Sequence, residues 1–142
     1  MDWLFLCKEG TANSLLSALL LAREARKRGE EAAIVLTEEA LLPAVGEMLD
    51  WSDGLLGMEH RYAMADNAGA LDIPIMGRGQ LRQIDIRAFF DRSIEGGINI
   101  YASPVWVTLL GLKDSLPAAI KIPDIEDYTK LLGSAKRIIG AF

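Results

Sequence analysis

The feature that most constrains this chain is a set of short, mainly apolar runs, each followed by a helical pattern. Trp3–Cys7 contains no polar residue, as expected of a central strand covered on both faces. Ala32–Leu36 is a second such run. Residues 98–102 form a third, rich in β-branched and aromatic side chains. Between them lie amphipathic stretches. Parallel strands need crossover connections, so the alternation predicts an α/β fold: a three-layer α/β/α arrangement around a mostly parallel sheet of about five strands. At 142 residues the whole of 1–142 is expected to be one domain.

Local signals place the elements. A helix is predicted over about residues 14–28, capped by Thr11 or Asn13, turning basic at its end and stopped by Gly29. Its leucines and alanines cover more than one stripe. The surplus implies either a neighbouring helix or a second subunit. Thr37, Glu38 and Glu39 read as a helix start, with a break and a fresh start near Pro43. A short strand is expected around Gly54, Leu55 and Leu56. Residues 59–80 show no clear period and read as a long, partly helical connection. Asp85 caps a helix whose Ile86, Phe89, Phe90 and Ile94 share a face. Gly96 and Gly97 end it. After 98–102, Ser103 stands at an N-cap position, Pro104 at the first helical residue and Gly111 at a left-handed stop. An extended connection through Pro117 and Pro123 leads to a last helix, capped by Asp124 and ended by Gly133, and to a last strand over 137–141.

The Gly96-Gly97-led strand, the Ala102-Ser103-Pro104 turn and the short helix ending in Gly111-Leu112 together resemble the DsrE/DsrF-like family of small sulfur-relay proteins. The Leu/Ala-rich first helix and the ending 128–142 are similar to that family as well. In sulfur-carrying members the middle residue of Ala-X-Pro is a cysteine that accepts a persulfide. Here it is Ser103, which cannot. The resemblance therefore implies a binding or structural partner in intracellular sulfur handling, not a thiol carrier at the usual position. It also implies a homo-oligomer, and a cysteine-bearing paralogue or other sulfur-relay protein as partner.

In parallel sheets ligands sit beyond the carboxyl ends of the strands. Three loops qualify there, and they supply the candidate ligand-binding residues: Lys8, Gly10 and Asn13; Thr37; and Ser103, Pro104 and Trp106. Two other functions compete with the partner reading. Cys7, the single thiol, precedes a helix N-terminus and is the one candidate for a carrier or sulfurtransferase; equally, it suits a buried strand. The amides after Ser103 could instead hold a small anion. Ser103 as a nucleophile lacks an adjacent base, because the single histidine, His60, falls on the unplaced segment. Trp106 suits core and pocket alike.

Composition narrows the partners. Fifteen Lys and Arg against twenty Asp and Glu give a net charge of −5, which argues against direct nucleic-acid binding. No apolar run reaches the roughly 20 residues of a membrane span, and Met1-Asp2-Trp3 lacks the basic start of a secretory signal. One cysteine forms no intrachain disulfide, which fits a cytoplasmic protein, and with one histidine it leaves little for a metal site. No cofactor is expected.

Overall fold

The computed structural model describes residues 1–47 and 49–142. Its elements in order are β1 (Trp3–Cys7), α1 (Ala12–Lys27), β2 (Ala32–Leu36), α2 (Leu41–Ala44), α3 (Met58–Asn67), β3 (Ile75–Met76), β4 (Gln83–Ile84), α4 (Ile86–Glu95), β5 (Asn99–Ala102), α5 (Pro104–Leu109), β6 (Ile120–Lys121), α6 (Ile125–Ser134) and β7 (Arg137–Ile139). Five strands form one sheet in the order β6-β5-β2-β1-β7. Every pairing within it is parallel. The fold is the α/β architecture that the sequence predicts.

All five residues of β2 are buried, which requires both faces of the sheet to be covered. On one face Phe5, Ile34, Leu36 and Ile100 pack with Leu19, Ala18 and Ala22 of α1 and Phe89 and Phe90 of α4. On the other, Leu4, Ala33 and Val35 meet Tyr128, Leu131 and Leu132 of α6. Part of the surplus stripe of α1 is met within the chain, while Leu21 stays exposed. Leu16 and Leu20 pack against a satellite cluster of Ala68, Ile73 and Ile84, beneath α3 and the antiparallel β3–β4 pair. Arg82, 2.8 Å from Asp66 and stacked over Tyr62, pins that segment together.

Several local expectations are corrected. Residues 54–56 form no strand; Asp53–Leu55 is a 3-10 turn. The fifth strand is instead β6, two residues long, paired with Ile100 and Tyr101. No fresh helix begins at Pro43, which lies inside α2, and a turn with Gly46 at φ +93° follows. Met48, within that stretch, lies outside the described residues. The 59–80 segment is more regular than its pattern suggests, being α3, a 3-10 turn over Ala68–Leu71 and β3. Gly133 sits within α6 and does not end it, and β7 stops at Ile139. The caps fare better. Thr11 accepts from Ser14, Asp85 from Ala88 and Asp124 from Asp127.

The packing of α1 makes a stability prediction. Leu20→Ala should cost about 1–2 kcal/mol, by opening a gap against the satellite cluster. Leu21→Ala, at a position 46% exposed, should cost under about 0.5 kcal/mol. Urea unfolding measures both. The Leu20 penalty should not change with protein concentration, whereas a penalty that shrinks on dilution would place Leu20 against a second subunit.

Candidate functional site

The register of the sheet aligns the candidate residues in rows. Cys7 pairs with Leu36, and Leu36 with Ala102, so these three stand side by side at the carboxyl edge. Lys8, Thr37 and Ser103 form the next row, where Thr37 donates its amide to the Cys7 carbonyl at 3.0 Å and Ser103 donates to that of Leu36 at 2.9 Å. All three predicted loops therefore meet at one edge. Cys7 and Ser103 are nonetheless on strands two apart, which at ~4.8 Å per strand separates their backbones by roughly 10 Å.

Each candidate has a defined local role. Gly10 lies against the backbone of Glu39, where an added Cβ would stand 2.8 Å from the carbonyl oxygen. Asn13 does not cap α1; its Oδ1 accepts the amide of Ser52 at 2.9 Å and ties the 50–52 segment to the helix. Lys8 is exposed, and its backbone bridges Phe142 and Ala40. Thr37 precedes Glu38, whose φ of +53° is in the left-handed region. A side chain there is strained, so the turn after β2 is held by its surroundings and not by local preference.

Ser103 is 2% exposed and starts α5, yet its hydroxyl makes no capping hydrogen bond. Pro104 is buried at the first helical position, and Gly111 at φ +66° follows the helix, as the sequence indicates. Trp106 is half-buried. One side packs on the main core, and it also lines a cleft of about 330 Å³ with Glu38, Glu39, Leu42 and Leu110. A second cleft, about 540 Å³, shares Glu39 and Leu42 and adds Glu9, Gly10 and Glu47. The edge is acidic. That charge, together with α5 being six residues long and starting with a proline that lacks an amide hydrogen, weighs against an anion at the Ser103 turn.

Cys7 is fully buried, and its Sγ donates to the Glu9 carbonyl oxygen 3.9 Å away. Loss of solvent pushes the thiol up to about 12, with the Glu9 carboxylate adding to the shift. The environment thus opposes the thiolate that sulfur transfer needs. His60 lies on α3, exposed, with Nε2 3.7 Å from Glu59, and lines neither cleft. No group of three or more metal-ligating side chains occurs among the described residues. Among them, too, no helix is long and apolar enough to cross a membrane. The acidic carboxylates of the rim were not singled out from the sequence as a group. Their signal was the recurrence of glutamates at positions 9, 38, 39 and 47, each in a loop after a strand or close to one.

No protein-family model matches the chain, and no curated protein sequence matches it. A solved structure does. The crystal structure of the ychN protein from E. coli aligns with a TM-score of 0.59, covering 99% of this chain and 98% of that one at 11% identity. The likeness shows the fold, and at that level it supports the DsrE/DsrF-like resemblance.

Burial of Cys7 predicts its chemistry. Maleimide labelling of the native protein should lag far behind labelling in denaturant. Because the folded thiol ionises near 12 and an unfolded one near ~8.5, the unfolded chain loses its proton first as pH rises. Stability should accordingly be insensitive to this group below about pH 8, then fall between there and pH 12. Chemical denaturation of wild type and Cys7→Ala across that window should show the steeper fall in wild type.

Proposed function

We propose that this protein is a DsrE/DsrF-like binding or structural partner in intracellular sulfur handling, without a sulfur-carrying thiol of its own. The observation that carries the reading is the state of its two relevant positions. The strand–turn–helix at Ala102-Ser103-Pro104 keeps the backbone form that the family resemblance implies, while its side chain is a hydroxyl. The one thiol, Cys7, sits in the row behind it, buried and held neutral. A hydroxyl cannot hold a persulfide, and a thiol without access to solvent or thiolate character reacts poorly with a donor. The carrier reading of Cys7 is correspondingly weak. Within the proposal the protein acts in the cytoplasm and meets a cysteine-bearing paralogue or another sulfur-relay protein. The candidate contact surface is the carboxyl edge, offered by Lys8, Gly10, Asn13, Thr37 and Trp106, with Ser103 and Pro104 buried beneath it.

Self-association belongs to the same proposal. Leu56, Met58, Leu71, Ile75, Met76 and Leu81 are all exposed on the segment carrying α3 and the β3–β4 pair, Leu81 at 72%. So much exposed apolar side chain on one segment suits a subunit interface. Leu16 and Leu20 of α1, by contrast, are covered within the chain.

Two measurements test the proposal. After incubation with a persulfide donor, intact-mass spectrometry should find the native protein unmodified, and a gain of one sulfur on Cys7 would favour the carrier instead. Light scattering at about 50 μM, well above the dissociation constant of a stable oligomer, should give a mass above one chain. Met76→Glu with Leu81→Glu should shift it to the monomer.

A further inference from the structure

At the opposite, amino-terminal edge of the sheet lies a cavity of about 420 Å³ between the last turns of α1 and α4. Its charge runs against that of the chain. Arg23, Arg26, Lys27 and Arg92 line it with a single carboxylate, Asp72, in a protein whose net charge is −5. Arg23, Arg26 and Lys27 fall at i, i+3 and i+4, one face of α1. Favourable placement beside helix carbonyl ends explains some of this. Two such ends carry together only about one negative charge, though, so even with Asp72 and the Glu24 that faces Lys27 the cations remain in excess by about one.

The cations are also unevenly employed. Arg23 is fixed: its guanidinium lies 5.1 Å from the centre of the Phe89 ring and donates to the carbonyls of Leu71 and Asp72, while its Nε–H is buried without an acceptor. Arg26 leans over Gly97, with one guanidinium nitrogen 3.1 Å from where a Cβ would stand, so a glycine there leaves it room. Neither Arg26 nor Arg92 forms an ion pair with a carboxylate among the described residues. Lys27 has one loose, exposed partner, Glu24 at 3.7 Å. Phe89 and Ile98 supply an apolar wall.

We propose that this cavity binds a small organic phosphate monoester, its phosphate taken by Arg26 and Arg92 and its apolar portion set against Phe89 and Ile98. The volume falls in the range of small-molecule sites, about 300–1,000 Å³. A phosphate monoester carries close to two negative charges at neutral pH, opposite in sign to the local excess, and its oxygens suit the paired N–H donors of guanidinium groups. The site is remote from the carboxyl edge and independent of the function proposed there.

Amide NMR titration of the full chain tests this, using phenyl phosphate, inorganic phosphate and phenol as separate probes. Phenyl phosphate should give saturable shifts at residues 23–27 and 89–98, with at least about tenfold higher affinity than either fragment. Arg26→Gln with Arg92→Gln, both exposed positions, should weaken it at least about tenfold, and Arg92→Gln alone should do so in part. Raising NaCl from 50 to 200 mM should also reduce affinity, by screening. The proposal is overturned by an absence of saturable shifts up to about 10 mM, by shifts centred on residues 103–106, by equal affinity for phenol, or by binding that survives the double substitution.

Discussion

Parallel pairing of β1, β2 and β5 is the constraint on which the rest of the structure depends. With β2 buried at every residue, its backbone groups have no water to turn to and must pair on both sides, and its side chains must be covered above and below. Parallel neighbours cannot be joined by tight turns, so each crossing needs a connection that also supplies cover. Between β1 and β2 that connection is α1. Before β5 it is α4, on the same face, and α6 leads into β7 from the other. One consequence is the alignment of strand ends. Cys7, Leu36 and Ala102 share a row because the register leaves them no alternative, and the three following loops must then meet.

The same topology segregates charge. Helices in such a layered fold start near the carboxyl edge of the sheet and end near its amino edge. Acids are favoured near helix starts and bases near helix ends, so the two edges drift toward opposite signs. Here the drift is large. Glu9, Glu39 and Glu47 border one cleft, whereas Arg23, Arg26, Lys27 and Arg92 border the cavity at the far edge. The carboxylates beside the Ser103 turn disfavour an anion there, whereas the cations at the other end of α1 favour one. Charge decides between these edges more strongly than the presence of a helix N-terminus does.

Elements fixed by local chemistry were legible in the sequence. β1, β2 and β5 are short, mainly apolar runs, α1 and α4 each carry an apolar stripe behind a capping residue, and Asp85 and Asp124 hold the caps their side chains suggest. What escaped was structure defined by distant partners. β6 is only Ile120 and Lys121, a strand because Ile100 and Tyr101 lie beside it. α3 buries a single residue, Ala65, and so shows no apolar period. Gly133 reads as a stop, but the helix runs one residue beyond it.

The candidate site was legible in outline and not in chemistry, for a reason visible at individual residues. Sequence places Lys8, Thr37 and Ser103 after their strands, and parallel register does the rest. It does not reveal what each side chain is already doing. Asn13 reads as a cap or a ligand but is spent on the Ser52 amide, and Gly10 reads as part of a binding loop but is small because the Glu39 carbonyl lies against it. Ser103 has the ideal chemistry for a cap and makes no capping bond. Cys7 differs from an activated thiol only in its surroundings. A strand end near a helix start would lower its pKa if solvent reached it, whereas complete burial raises it. Desolvation leads here and the Glu9 carboxylate adds to it, so the chemistry of this edge is set first by which atoms water can reach.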